Sequence, residues 1–403
     1  MSQPSDLPFA SDELIQFVFT HRDDDVRQLA FQRAKYPDID FLSALDAIQA
    51  RQKLAKKFPD WAAYPEFFVP HPVMVEQASG VETSDYKRRF IRHPFWKVLD
   101  MSGGLGGDSF AFSQVAESVN YLDIDKQRAQ VAEHNFRVLG AQNIVTHFGA
   151  AETEGVELAA AYQPHLIFID PDRRPTNKKR VFLLEDSVPN ILELLPRLRS
   201  ILPTTEFLIK LSPLVDIDYL RKTIPYPFDI HVVGVRREAK ELLVHIHSAA
   251  RYALVAVEIS SDYTLEICGG EEREEIAIED EVGRFIYDLY PSVAKIGLEH
   301  FALRYPIWQP DRHTHLYFSD EWIELFPGRK FEVLESHSGD QKWLKSIVRQ
   351  PLHLVTKNIP VPTDRLRKQL KIEEGGELFL IAFGTRTCKI SYILAQLAGE
   401  KES

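Results

Sequence analysis

Cysteine is scarce, with two in 403 residues, Cys268 and Cys388. That count excludes a disulfide framework and a Cys-rich zinc site, and it fits a reducing compartment. The opening stretch MSQPSDLPFASDEL has neither a basic segment nor an apolar one, so no secretory signal is expected. No apolar run reaches the roughly eighteen residues of a membrane helix, so no membrane span is expected. These absences together predict a soluble, cytoplasmic chain. Positive charge is short as well: 48 Lys and Arg stand against 59 Asp and Glu, for a net charge of −11. That excludes a protein that coats nucleic acid nonspecifically, but not one local basic surface. The stretch from Phe326 to the end holds 13 Lys and Arg against 9 Asp and Glu, about +4, leaving about −15 elsewhere. Long internal repeats and low-complexity segments are also missing. What remains is ordinary globular composition, 44% hydrophobic and 27% charged, in a chain long enough for several domains.

Residues 7–60 place apolar residues three and four apart in LIQFVF, VRQLAFQRA and FLSALDAIQARQKLAKKF, which predicts helices. Ser11 or Asp12 is a candidate cap for the first, and Pro37 and Pro59 punctuate the run. No catalytic residue types cluster there, and Phe17, Phe19 and Phe31 are expected in its core. The proline-aromatic stretch from Trp61 to Pro72 reads as a linker or wrapped arm. From Lys97, short apolar runs alternate with amphipathic segments: KVLDMS, DSFAFSQVAES, VNYLDID, KQRAQVAEHNFRVLG, NIVTHFG, HLIFIDP, VPNILELLPRLRSIL and EFLIKLSP. This alternation predicts an α/β, Rossmann-like fold with a mostly parallel sheet and helices on both faces. HVVGVRR and KELLVHIHS are close enough to pair as an antiparallel hairpin at its edge. Beyond Ala250 the pattern becomes α+β, with YALVAVEIS and YTLEICGG as strands and FIYDLYPSVAKIGLEHFALRYP as one or two helices. Strands FEVLESH, LHLVTKN, ELFLIAFG and KISYILAQL then alternate with helical QKWLKSIVRQ and PTDRLRKQLK. The predicted organisation is a helical region over 1–70, the α/β domain over 71–250, and α+β units over 251–325 and 326–403.

The strongest local signal is VLDMSGGLGGDSF. A strand ends at Asp100, Gly103, Gly104, Gly106 and Gly107 follow, and a helix opens near Asp108. Such glycines turn the backbone tightly and bring it close to a ligand, and the helix start presents N–H groups. Asp123, nineteen residues after Gly104, ends the next strand, where a carboxylate can accept both ribose hydroxyls. A dinucleotide and an S-adenosylmethionine site share this layout, and a purely structural turn is the plain alternative. Two details favour the methyl donor. The third glycine of the dinucleotide fingerprint is missing, and Asp100 is placed to meet the cofactor's amino group where it would repel a pyrophosphate. Glu152, after the third strand, is a candidate for the adenine amino group, with a backbone group as the alternative.

The second signal is LIFIDPDRR, in which an apolar strand ends in Asp170-Pro171 at the carboxyl edge of the sheet, where open α/β folds place ligands. Arg173 and Arg174 follow, either as a solvated loop or as contacts to phosphate or base. Lys210 and Ser212 end the next strand facing the same crevice, although a lone Lys there is more often a surface residue. The fourteen histidines contain no HExxH pattern, and His313 with His315 supplies two ligands without a third, so no metal is expected. Arg365, Arg367, Lys368 and Lys371 lie on one short helical run, read as a solvated or a phosphate-contacting face.

LIFIDPDRR resembles the Asp/Asn-Pro-Pro-aromatic motif of amino-group methyltransferases. Together with Asp100–Asp108, Asp123 and IKLSP at 209–213, it makes the chain similar to bacterial class I methyltransferases with a C-terminal THUMP-like domain, relatives of the cap-guanine trimethylguanosine synthases. EQASGVETSDYKRRF (76–90) resembles the segment that closes the cofactor pocket in that family. The 275–320 region resembles its ferredoxin-like insert, and PTDRLRKQLKIEEGGELFLIAF its THUMP-like domain, a module associated with RNA. The resemblance implies S-adenosyl-L-methionine as cofactor, held by Asp100, Gly103, Gly104, Gly106, Asp108, Asp123 and Glu152. It implies Asp170 and Pro171 as the acceptor-orienting pair, with Arg173, Arg174, Lys210 and Ser212 toward substrate. The implied partner is RNA, a tRNA or rRNA, methylated on a nucleobase amine, with guanine N2 favoured. Residue 172 is Asp and no aromatic follows, a departure from the amino-methyltransferase pattern. Two other readings stay open: a noncatalytic RNA-binding protein on a degenerate fold, and a nicotinamide-dependent dehydrogenase. The oligomeric state is not legible.

Overall fold

The computed structural model describes residues 7–173, 184–249, 251–270, 272–301, 305–338, 341–348, 350–387 and 390–398. The chain divides into two compact units, Met1–His231 with Lys240–Tyr252, and Val232–Ala239 with Ala253–Ser403.

In the first unit the apolar runs from Lys97 onward become strands β1 (Lys97–Asp100), β2 (Ser118–Asp123), β3 (Ile144–Phe148), β4 (Leu166–Ile169), β5 (Asp172–Arg173), β6 (Ser187–Val188) and β7 (Glu206–Leu211). Two more follow, β8 (Asp229–Val235), within which the division between units falls, and β9 (Glu238–Ile246). The unit's sheet has the order β9-β7-β4-β1-β2-β3, parallel throughout except for β9, which runs antiparallel to β7. The central strands are buried on both faces: every residue of Leu166–Ile169 is buried, as are Val98, Leu99 and Asp100. This is the continuous apolar strand that a doubly covered parallel sheet demands. From β1 the chain moves outward to β2 and β3, then returns to β4 on the other side. The carboxyl ends of β1 and β4 therefore flank a topological switch point, the crevice in which such sheets bind ligands. Helices Gly107–Ser113, Lys126–Val138, Val156–Tyr162 and Ile191–Ile201 link the strands. Asp125 caps the second by accepting from the amides of Gln127 and Arg128, and Asn190 caps the last through Leu192.

The predicted N-terminal helices are present, the longest at Phe41–Lys57. Its buried Arg51 explains the proline-aromatic arm that follows. The guanidinium donates to the carbonyls of Phe67 (2.6 Å), Ala62 (3.0 Å) and Tyr64 (2.5 Å), and Asn135 clasps both backbone groups of Phe68. Burial draws the Arg51 group down to about 10. One expectation fails here: Phe31 is 91% exposed and no part of the core.

The second unit carries a two-strand antiparallel pair, β10 (Leu254–Ile259) with β11 (Thr264–Gly269). Among the described residues its main sheet has eight strands, β12 (Ala277–Ile278), β13 (Phe285–Leu289), β14 (Trp308–Gln309), β15 (Leu316–Ser319), β16 (Gly328–Ser338), β17 (His353–Lys357), β18 (Leu378–Gly384) and β19 (Ile390–Leu397). Their order is β12-β14-β15-β13-β16-β19-β18-β17, so one sheet runs continuously across residue 325. Helices Gln341–Ile347 and Thr363–Leu370 form where the spacing predicts them. FIYDL, expected as helix, is strand β13 instead. Pro291 opens a helix at its first position and is unsuited to a helix interior, so the helical segment shrinks to Pro291–Ile296. Among the described residues no helix is long and apolar enough to cross a membrane.

Candidate active site

The loop after β1 is shaped by its glycines in two ways. A Cβ on Gly103 would meet the Tyr121 ring at 2.2 Å, and one on Gly106, at φ +87°, would meet Phe136 at 2.5 Å. Those two glycines let the loop lie against β2 and the helix behind it. Gly104, at φ +58°, has nothing nearer than the Ser102 carbonyl at 3.7 Å around a notional Cβ, so there the backbone is uncrowded and its conformation is what favours glycine. Tyr121 Oη donates to the Gly104 carbonyl at 2.7 Å, and the Gly104 amide donates to Asp123 Oδ2 at 2.9 Å. Asp123 is in turn held through Oδ1 by Arg128 Nε at 3.0 Å and the Asp125 amide at 2.8 Å.

Asp100, at the end of β1, is 1% exposed and takes hydrogen bonds from Ser109 Oγ (2.6 Å), the Ser102 amide (3.0 Å) and Ser102 Oγ (3.3 Å). Burial outweighs those donors and pushes its carboxyl up to about 7. Ser102 Oγ also accepts from the Asp170 amide at 2.7 Å, tying the ends of β1 and β4 together.

Asp108 is buried too, yet its carboxyl goes the other way. It accepts from Ser79 Oγ (2.7 Å), Ser84 Oγ (2.9 Å) and Lys87 Nζ (3.0 Å). Burial raises it, but Lys87, Lys210 and the Ser79 hydroxyl overcome that and hold it at about 2. The Lys87 side chain is fully enclosed and also reaches Glu241 Oε2 at 2.8 Å. Glu241 Oε1 has no hydrogen-bond partner, and burial raises that carboxyl.

Asp170 stands at the carboxyl end of β4, its side chain 34% exposed, and pairs with Lys210. Loss of water raises its carboxyl, while Lys210 pulls in the opposite direction. Ile169 is paired with Ile209 across β4 and β7, so the next residues in each strand, Asp170 and Lys210, emerge side by side.

One cavity gathers most of the sequence-predicted residues. Asp100, Gly103, Gly104, Gly106, Asp108, Asp123, Glu152 and Asp170 line it. Pro171 is buried beside Asp170 without lining it. Ser212 is exposed, takes the Leu214 amide at 3.3 Å, and lies off the cavity in the turn after β7. Lys210 lies behind Asp170, with its side chain 13% exposed. Arg173 belongs to the short β5–β6 pair, but its side chain lies outside the described residues, as does all of Arg174. Pattern reading had not singled out Ser79, Lys87, Ile124, Arg128, Val188 or Pro189. Of these, all but Lys87 line the cavity. Ile124 follows directly on the ribose-type acid and is 63% exposed, an apolar side chain left uncovered at a cavity wall. That position could have been found from the sequence, whereas the ion pairs of Lys87 could not.

Residues 96–172 match the RNA cap guanine-N2 methyltransferase family, and residues 328–394 match the THUMP domain-like family. The structure of a candidate methyltransferase of Porphyromonas gingivalis W83 superposes with a TM-score of 0.84 at 25% identity, covering 97% of this chain and all of that one. A methyltransferase from Geobacter sulfurreducens, at 16% identity, covers 56% of this chain and 97% of its own with a TM-score of 0.32, too low to carry weight. No curated protein matches. The matches support a methyltransferase with a Rossmann-like fold and a THUMP-like domain. These matches favour the methyltransferase reading over the nicotinamide-dehydrogenase one.

Proposed function

We propose that this protein methylates RNA, on a nucleobase amine and by preference guanine N2, within a tRNA or rRNA. The observation that carries the reading is Asp170, followed by Pro171, at the switch point, with Asp170 on the wall of the cavity that the glycine loop also lines. The matches to a cap guanine-N2 methyltransferase family and to a THUMP-like family support an RNA acceptor.

The cavity suits S-adenosyl-L-methionine. The uncrowded backbone at Gly104, the acid at Asp123 and the uncovered Ile124 are a cradle for a nucleoside: the acid accepts ribose hydroxyls and Ile124 lies against the base. Glu152, which lines the same cavity, would take the adenine amino group; Asp108 would bring negative charge to the methionine end, and Asp100 would add to it when ionised. The cofactor supplies an electrophilic methyl group on a sulfonium. The protein's part is positioning and electrostatics. Asp170, ionised, accepts an N–H hydrogen bond from the amine, and the carbonyl of the adjoining backbone accepts the other. This aims the nitrogen lone pair at the methyl carbon. Arg173 and Arg174 take the RNA backbone or base, the electrostatic role that suits guanidinium groups.

The test is transfer of labelled methyl groups to RNA from cells lacking the gene, alongside calorimetry with S-adenosylhomocysteine. Asp170→Ala should lower transfer by ~100-fold or more and leave product binding within about threefold. Retained turnover would remove Asp170 from the acceptor site. Binding of S-adenosylhomocysteine without transfer to any RNA by the wild type would favour a noncatalytic RNA-binding protein.

A further inference from the structure

Lys210 has the residue type and the strand position of a substrate contact, but its surroundings are those of a buried strut. Its ammonium pairs with Asp170 on one side and donates to Ser79 Oγ at 3.1 Å on the other. Ser79 Oγ is itself committed to Asp108 Oδ2 at 2.7 Å and receives Lys87 Nζ at 3.2 Å. Lys87 continues to Glu241. The result is an alternating chain, Asp170, Lys210, Ser79, Asp108, Lys87, Glu241, that runs from the cavity wall into the core. It joins β4 and β7 to the Ala78–Gly80 turn and to the first turn of the helix at Gly107–Ser113. Within it, three carboxylates face two ammonium groups.

We propose that Lys210 is a positioning residue for the acceptor site: anchored through Ser79, it keeps the Asp170 carboxylate charged and fixed in direction, and does not itself contact RNA. The idea rests on the reading of Asp170 given above. A neutral Asp170 would present an O–H where the acceptor amine needs a lone pair, so its ionisation decides whether the amine is held or repelled. Two influences favour the neutral form, burial and the nearby Asp108 charge, and Lys210 is the strongest opposing one. Lys87 helps from farther away. Ser79 determines where the Lys210 ammonium sits, because side chains as long as lysine hold no fixed geometry without a second anchor.

Two uncharged variants, K210M and K210Q, the second keeping a donor for Ser79, are compared with K210R and the wild type. The carboxyl titration of Asp170 is followed by NMR on aspartate-labelled protein, with D170N assigning the signal. The pH profile of methyl transfer to RNA from cells lacking the gene is measured in parallel. The expected result is an Asp170 midpoint at least one pH unit higher in both uncharged variants, a tenfold gain in proton affinity. The acid limb of transfer should move up with it, and K210R should restore both. An unmoved midpoint in a folded K210M or K210Q overturns the proposal. So does a loss of transfer at every pH with the profile otherwise unshifted, which would make Lys210 a direct RNA contact. Absence of transfer by the wild type would overturn the RNA reading instead, and the NMR midpoint would still decide the proposal.

Discussion

Asp108 and Asp170 are two aspartates of the same cavity, each paired with a lysine, and their carboxyls are displaced in opposite directions. Asp108 lies deeper, yet it is held at about 2, because Lys87 and two serine hydroxyls bond it and the Lys210 charge lies nearby. Asp170 has a single paired lysine and an open side, and its carboxyl rises. Burial alone therefore does not set the charge of a carboxylate; the balance of burial against the cations and donors that face it does, and Asp100, with three donors and, among the described residues, no cation, stays raised. The difference separates two roles. Asp108 is a fixed charge that joins the 76–90 segment to the glycine loop, while Asp170 is poised to respond to whatever enters the cavity.

Removing Lys87 should break the comparison most severely. K87M would leave Asp108 and Glu241 buried without their shared cation, at a cost of ~3–5 kcal/mol. Denaturant unfolding should show the loss in the midpoint, and a midpoint unchanged from wild type would make the cluster energetically idle. A third carboxylate, Asp123, sharpens the contrast from the cofactor side. It accepts from Gly104, Asp125 and Arg128, so D123A removes a loop anchor as well as the proposed ribose partner. Calorimetry with S-adenosylhomocysteine should report affinity lower by roughly 10- to 100-fold, or ~1.4–2.8 kcal/mol. Undiminished affinity would move the nucleoside elsewhere.

A further effect concerns His231, which among the described residues has no carboxylate at bonding distance. It meets Tyr86 Oη at 2.7 Å, and burial lowers it from 6.5 to about 3. Between those values the unfolded chain binds a proton that the folded chain refuses, so stability falls as the pH drops below 6.5 and continues to fall toward 3. The slope from this one group is at most about 1.4 kcal/mol per pH unit. H231Q should remove that share and leave the contribution of His245, lowered in the same direction. Unfolding measured from pH 7 to pH 5 checks it, and an unaltered slope would mean that His231 titrates alike in the folded and unfolded chains.

What could be read from the sequence follows from how local each signal is. The glycine loop, Asp123 and Asp170 sit where strands end, and apolar runs with turn residues mark those ends directly. The Lys87 cluster was not legible because its partners Asp108 and Glu241 lie 21 and 154 residues away, and Ser79 is 131 residues from Lys210. Nothing in EQASGVETSDYKRRF distinguishes Lys87 from a solvated lysine until β9 is laid beside β7. FIYDL was misread because its apolar spacing suits either period, and the proline that decides the matter comes afterwards. Phe31 was assigned to the core by type alone, although helix Val26–Ala30 ends just before it and leaves it outside.

The most direct test of the account is a mass-spectrometric comparison of nucleosides in tRNA and rRNA from wild-type cells, cells lacking the gene, and such cells carrying the wild-type or the D170A protein. One methylated nucleoside, N2-methylguanosine by preference, should fall in the deletion, return with the wild-type protein and not return with D170A. An unchanged set of methylated nucleosides, or full restoration by D170A, would contradict it.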